Sequence, residues 1–152
     1  METTARDHFD SSGQIRVLIA EEHSGIRRGL RLLLDFQKDM EVIGEATSGL
    51  EAVEFAREHK PSTVLIDLSM PEFDGIETTR QILDALPDTK ILIISAEADE
   101  YEVADALASG AHGFIAKTSS LLEVPDAIRE IHKGNSFVRE TRSWLRNRQM
   151  IR

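Results

Sequence analysis

Cysteine is absent from this chain of 152 residues, which excludes disulfide bonds, thiolate catalysis and zinc sites built on thiolates. No apolar stretch approaches the roughly 20 residues that a transmembrane helix needs. The polar N-terminus, METTARDHFDSSGQ, also lacks the apolar core of a signal peptide. We therefore expect a cytoplasmic protein that has no membrane segment.

Positive charge is scarce along most of the chain. The net charge is −9, but residues 139–152 contain five arginines and a single glutamate, so this segment carries +4 and the remainder carries −13. Because contacts with phosphate need a basic surface, an acidic body argues against binding to nucleic acid. The basic segment could contact an acidic partner or the acidic body of its own chain.

Length and composition indicate one folded domain, since hydrophobic residues make up 41% of the chain and charged residues 30%. We expect a polar, disordered N-terminus at 1–13, a folded domain at 14–137 and a basic C-terminal tail at 138–152, which could form a helix. Only 14 residues follow Val138, too few for a helix-turn-helix module, so we expect no DNA-reading domain in this chain.

Strand-length apolar runs alternate with segments of helical period five times. The runs are rich in Ile, Val or Leu and occupy 15–20, 41–47, 63–67, 90–95 and 113–117. The helical segments occupy 24–36, 49–59, 75–86, 99–109 and 120–133. Apolar strands separated by helices of this length are typical of parallel strands covered on both faces. The pattern predicts a doubly wound α/β fold with a five-stranded parallel sheet.

Pro125 lies inside the last helical segment, where it removes a backbone donor and crowds the preceding turn. Two interpretations are open. The helix begins near Pro125, or it begins at the capping-box spacing of Ser120 and Glu123 and has a kink.

Polar and charged residues follow four of the predicted strands. Glu21 and Glu22 follow the first strand, Asp67 ends the third, Ser95 ends the fourth and Lys117 ends the fifth. Because the carboxyl ends of parallel strands lie at one edge of a sheet, these side chains should converge on one cleft. Taken singly, each is more often an ordinary surface residue, so it is their combination that predicts a site.

Three neighbouring carboxylates repel each other unless a cation neutralises them. Oxygen ligands without Cys or His suit Mg²⁺, which typically keeps several waters and a phosphate oxygen. A cation and a lysine beside a carboxylate can position a phosphoryl group, and the carboxylate itself can act as the nucleophile. Asp67 is the central acid and the candidate nucleophile.

These residues resemble the receiver domain of bacterial two-component response regulators, over about Ile15 to Val138. The resemblance rests on the acidic pair EEH, the loop DLSMPEFDG, the dipeptide SA and Lys117. The segments EVIGEATSGLEAV and IREIHKGNSFV, with EEH, resemble the branch that usually carries a LuxR-type DNA-binding domain. The resemblance implies a flavodoxin-like (βα)5 fold with strand order 2-1-3-4-5.

Carried onto this chain, the resemblance makes Asp67 the phosphoacceptor. It assigns Mg²⁺ to Glu21, Glu22, Asp67 and the main-chain carbonyl of Ser69. It assigns phosphate binding and switching to Ser95, Lys117 and Phe114, and the shape of the loop to Pro71 and Gly75. Phe114 could equally be an ordinary core aromatic. The family usually has aspartate where Glu22 stands, which puts the metal affinity and the phosphorylation rate in question.

Three functions are open at this stage. The first is a signalling switch, and not a turnover enzyme, that accepts a phosphoryl group from a histidine kinase and changes a face used by a homodimer or another protein partner. The second is a pseudo-receiver that binds partners constitutively because Glu22 spoils the metal site. The third, more distant, is an aspartyl-phosphate hydrolase, for which Ser69 stands where a second acid is commonly needed.

Overall fold

Twelve short elements alternate along the computed structural model, which describes residues 13–96, 99–117 and 121–139. The strands are β1 (Ile15–Ala20), β2 (Met40–Ala46), β3 (Thr63–Asp67), β4 (Lys90–Ser95), β5 (Gly113–Ala116) and β6 (Phe137–Arg139). The helices are α1 (Ser24–Asp35), α2 (Gly49–His59), α3 (Gly75–Ala85), α4 (Glu100–Ala108) and α5 (Val124–His132), and a 3₁₀ turn spans Leu121–Glu123. The five predicted strands and five predicted helices are therefore present, with ends shifted by a few residues at most.

The sheet is parallel and has the order β2-β1-β3-β4-β5-β6. The prediction of five strands was wrong by one, because β6 pairs with the outer edge of β5. β6 is only three residues long, too short to show an alternating pattern, so the sequence carries little signal for it. Val138 and Arg139, which the sequence analysis assigns to the tail, lie in this strand, and residues 140–152 lie outside the described part.

Each face of the sheet is covered by helices, as the apolar strands require. Alternate strand residues enter two separate hydrophobic clusters. One cluster lies under α2, α3 and α4 and includes Leu18, Ile66 and Phe114. The other lies under α1 and α5 and includes Ile19, Leu65 and Ile115. β3 is buried along its whole length, so a charge at its end belongs to the interior of the molecule.

The start of α5 decides between the two interpretations of Pro125. The helix begins at Val124, and Pro125 occupies its first turn, where a missing N–H donor costs nothing. The preceding residues form the 3₁₀ turn, and Ser120 lies outside the described residues. The helix therefore begins near Pro125.

Within the described ranges, no helix is both long enough and apolar enough to cross a membrane.

Candidate functional site

The predicted site residues gather at the carboxyl edge of the sheet, held there by backbone hydrogen bonds between neighbouring strand ends. The N–H of Glu21 donates to the carbonyl of Ala46 at 3.0 Å, and the N–H of Lys117 donates to the carbonyl of Ser95 at 2.6 Å. The N–H of Leu68, next to Asp67, donates to Ile94 at 2.8 Å. These bonds fix the end of β1 to β2 and the ends of β3, β4 and β5 to one another, and the pairing of Ala20 with Ile66 joins β1 to β3.

Lys117 joins two buried carboxylates at the centre of this edge. Its Nζ lies 3.1 Å from Glu21 Oε1 and 3.2 Å from Asp67 Oδ2. Glu21 is fully buried and Asp67 is 2% exposed. Two formal negative charges and one positive charge therefore share a space with little access to water.

Burial and the neighbouring Glu21 carboxylate raise the pKa of Asp67 to about 6, although Lys117 and the N–H of Ser69 oppose the shift. The pKa of Glu21 moves the other way. Burial would raise it, but the N–H of His23, with Asp67 and Lys117, holds the pKa below its ordinary value. Glu21 is therefore the more acidic of the pair, and Asp67 is the carboxylate whose charge costs more.

Ser95 ends β4, and Phe114 lies on the neighbouring strand β5. The buried Ser95 hydroxyl donates to Glu102 Oε1 on α4 at 3.4 Å, a long and weak hydrogen bond. Phe114 is fully buried in the cluster beneath α2, α3 and α4. Both residues connect the edge of the sheet to the α4 side of the molecule.

The loop after Asp67 returns tightly to α3. The N–H of Gly75 donates to the carbonyl of Leu68 at 2.8 Å. A Cβ on Gly75 would lie 2.7 Å from Leu68 Cα and 3.0 Å from the Asp67 carbonyl oxygen, so no side chain fits there. Pro71 is exposed and its carbonyl accepts from the N–H of Gly49 at 3.2 Å, which connects the loop to α2.

Comparison with known proteins decides the family. The sequence model of the response regulator receiver domain matches residues 17–129. The chain belongs to the response regulator receiver domain family. Its relatives include the response regulator protein VraR of Staphylococcus aureus, which is 40% identical over 139 residues. That match covers 91% of this chain and 66% of VraR, so the chain spans about two thirds of this relative's length.

Two solved structures show the same architecture. One is a LuxR-family two-component response regulator from Aurantimonas sp. SI85-9A1, with a TM-score of 0.81 and 27% identity, covering 91% of this chain and 99% of that one. The other is the signal receiver domain of the putative response regulator NarL from Mycobacterium tuberculosis. Its TM-score is 0.76 at 33% identity, and the match covers 80% of this chain and 98% of that one. The resemblance to the LuxR-linked branch of receivers is thereby confirmed.

The acidic loop between β1 and α1 holds its two glutamates in different environments. Glu22 is exposed, and the group of described residues that lie close enough together to hold a metal ion does not include it. That group consists of Glu21, Asp67 and His23, with ligand atoms within 4.8 Å of one another. His23 Nδ1 lies 3.2 Å from Glu21 Oε2. His23 is not among the ligands predicted from the sequence, and its place two residues after Glu21 was the available signal.

The donor set fits a hard divalent cation. The Glu21 and Asp67 carboxylates offer oxygen ligands, and Lys117 neutralises only one of their two charges. Glu21 Oε1 is buried and, apart from its ion pair with Lys117, has no hydrogen bond of good geometry in the described part of the chain. The negative charge that Lys117 leaves uncompensated is costly in a buried site, and a divalent cation would offset it. The exposed Ser69 donates its N–H to Asp67 Oδ1 at 3.3 Å.

Proposed function

We propose that this receiver accepts a phosphoryl group from a histidine kinase on Asp67. The observation that carries the proposal is the buried Asp67 carboxylate at the end of β3, 3.2 Å from the ammonium of Lys117 and beside Glu21. Family membership supports the same conclusion. Response regulators are signalling proteins, and we expect no turnover here beyond phosphorylation and dephosphorylation of the chain itself.

The chemistry uses the Asp67 carboxylate as a nucleophile toward a phosphohistidine. One carboxylate oxygen attacks phosphorus, so that a new P–O bond forms while the P–N bond of the phosphohistidine breaks. The electron pair of the P–N bond stays with the imidazole nitrogen, which takes a proton from solvent. Lys117 then pairs with the phosphoryl oxygens and offsets the charge that the product adds.

Glu21 and Asp67 would hold Mg²⁺ with the main-chain carbonyl of Ser69 as a further ligand. When bound, Mg²⁺ supplies charge neutralisation at the phosphoryl oxygens. The resemblance also assigns a ligand role to Glu22. Since its side chain is exposed, Glu22 would have to turn inward or act through water.

Phosphorylation would add roughly −1.5 to −2 charges at the end of β3, by analogy with other phosphorylated side chains. We expect Ser95 to leave Glu102 and donate to a phosphoryl oxygen, because its bond to Glu102 is long at 3.4 Å and the phosphoryl group adds up to about two negative charges. We expect the Phe114 side chain to move together with Ser95. This movement would change the shape of the face formed by α4, β5 and α5. This is a two-state switch biased by local electrostatics.

We place this switch in the cytoplasm, with a homodimer or a downstream protein as its output partner and with no contact of this chain with nucleic acid or membrane. The acidic balance of −9 supports the absence of nucleic-acid contacts. The pseudo-receiver alternative has less support, because the chain belongs to the receiver family and Glu21, Asp67 and Lys117 lie together at one edge of the sheet.

The test is intact-mass spectrometry after incubation with acetyl phosphate and Mg²⁺. Wild type should gain one phosphoryl group, and so should Asp84→Asn, which changes an exposed aspartate on α3. Asp67→Asn should gain none. Labelling of Asp67→Asn at the wild-type level would refute the assignment of Asp67. Labelling of Glu22→Asp in the absence of wild-type labelling would instead support the pseudo-receiver.

A further inference from the structure

Arg27, in the first turn of α1, binds the backbone of the acidic loop, residues 21–23 between β1 and α1. Its Nη1 donates to the carbonyl oxygens of Glu21 at 2.9 Å and Glu22 at 3.1 Å. Its Nε donates to Glu45 Oε1 on β2 at 2.9 Å. A single guanidinium therefore connects the loop to the neighbouring strand, and its side chain is 19% exposed.

The loop has no side-chain cap where it enters α1. His23 occupies the N-cap position, but its side chain makes no capping hydrogen bond, and the first turn contains no acidic residue. The His23 N–H instead donates to Glu21 Oε2 at 3.0 Å. The direction of the Glu21 side chain is thus coupled to the backbone conformation of the loop, and Arg27 restrains that backbone at two successive carbonyls.

Arg31 offers an internal comparison one turn further along α1. Its Nη1 donates to the other oxygen of Glu45, Oε2, at 2.7 Å. Both arginines therefore pair with Glu45, but of the two only Arg27 has hydrogen bonds to the loop carbonyls among the described contacts. The role of the loop contacts can consequently be separated from the role of the ion pairs.

We propose that Arg27 is a positioning residue for the acidic site: it holds the Glu21–Glu22 backbone so that Glu21 points at Asp67 and is in place to hold the metal ion. The inference rests on the proposed function, because it assigns a purpose to the Glu21 orientation. Its physical basis is that charge-assisted hydrogen bonds to carbonyls are strong and directional. Residues behind a metal ligand commonly change metal affinity about 10–100-fold when they are replaced.

The experiment measures Mg²⁺ affinity by isothermal titration calorimetry on the full chain. Arg27→Ala should bind Mg²⁺ about tenfold more weakly than wild type. Arg31→Ala, which loses the pairings with Glu45 and Asp35 but no contact with the loop carbonyls, should bind within about twofold of wild type. Arg27→Lys should fall between these values, because an ammonium can reach a carbonyl but cannot also bridge to Glu45. Equal Mg²⁺ affinity for Arg27→Ala and Arg31→Ala would overturn the proposal.

A second measurement needs no metal, so it tests the role of Arg27 independently of the proposed function. Amide hydrogen exchange of the His23 N–H in EDTA should be about tenfold faster in Arg27→Ala than in wild type or Arg31→Ala, because the loop opens more often. If wild type binds no Mg²⁺, the proposed function fails in its metal dependence. Hydrogen exchange then tests the role of Arg27 without the metal. Faster exchange in Arg27→Ala, but not in Arg31→Ala, would support the restraint of the loop by Arg27. Equal exchange in the two variants would overturn the proposal.

Discussion

Replacing Asp67 by asparagine should stabilise the fold at neutral pH when divalent metal is absent. Burial and the Glu21 carboxylate raise the pKa of Asp67 from its ordinary 3.8 to about 6 even though Lys117 opposes the shift. A difference of about two pH units corresponds to about 3 kcal/mol, since each unit is worth about 1.4 kcal/mol. Asparagine resembles the protonated acid in shape and charge. We therefore expect the free energy of unfolding to rise by about 1–3 kcal/mol in Asp67→Asn.

The pH dependence of this effect has a definite sign. The pKa of Asp67 is higher in the folded state than in the unfolded state, so the stability that its protonation confers is present below about pH 4. That stability is lost as the pH rises toward about 6, and above this value the loss is constant. The difference between Asp67→Asn and wild type should accordingly grow from pH 4 to pH 6 and then remain level.

The assay is urea unfolding in EDTA, followed by circular dichroism at several pH values, with the slope of the free energy against urea compared between the variants. Asp84→Asn is the control, because it removes an exposed carboxylate from α3 and should leave stability within about 0.5 kcal/mol of wild type. A stability of Asp67→Asn at or below that of wild type at pH 7.5 would refute the reasoning. So would a difference that does not shrink on acidification.

Added Mg²⁺ should reduce the difference in unfolding free energy between Asp67→Asn and wild type. A ligand that binds only the folded state stabilises it by about 1.4 kcal/mol at ten times its dissociation constant. Wild type should gain this amount, whereas Asp67→Asn has lost one carboxylate ligand and should gain less. Equal stabilisation of both proteins by Mg²⁺ would show that Asp67 is not a ligand.

Three further predictions concern the scaffold around the site. Arg129→Ala should lower the unfolding free energy by about 1–2 kcal/mol, less at high salt, because Arg129 on α5 makes two bonds to Asp39, at 2.8 and 3.0 Å. Burial, with Lys90 nearby, lowers the pKa of His112, whose Nδ1 accepts the Ile91 N–H at 3.0 Å. Neutral His112 stabilises the fold above about pH 6.5, and this stability should be lost as the pH falls. In urea titrations, the free energy of unfolding of His112→Asn should therefore depend less on pH than that of wild type. Gly75→Ala should cost about 1–3 kcal/mol in the same assay, since its Cβ would meet backbone atoms, and unchanged stability would show that the loop can move aside.

Much of the fold followed from local patterns along the chain. The apolar runs and the amphipathic segments between them predicted five parallel strands and five helices, and the structure confirms these elements. The same pattern predicted that residues after β1, β3, β4 and β5 would meet at one edge. The structure brings Glu21, Asp67 and Lys117 together there. These features could be predicted because strand alternation and helical period are properties of neighbouring residues.

The sixth strand and the geometry of the acidic loop could not be predicted in this way. β6 is three residues long, and its hydrogen-bonding partner β5 supplies the reason for its extended conformation. Glu22 and Glu21 are chemically identical neighbours, yet one is exposed and the other is fully buried. Composition and spacing treat the two alike, so their difference comes from the backbone path at the end of β1.

The sequence by itself determined which residue types stand at the ends of the strands and that a doubly wound parallel sheet would gather them at one edge. Tertiary structure decided which of these side chains touch. The β1–β2 register shifts between Val17 and Leu18, and downstream of this shift Glu45 lies where both Arg27 and Arg31 reach it. Arg27 and Glu45 are 18 residues apart in the chain. Such contacts depend on strand register and helix packing, which are long-range properties that no local pattern encodes.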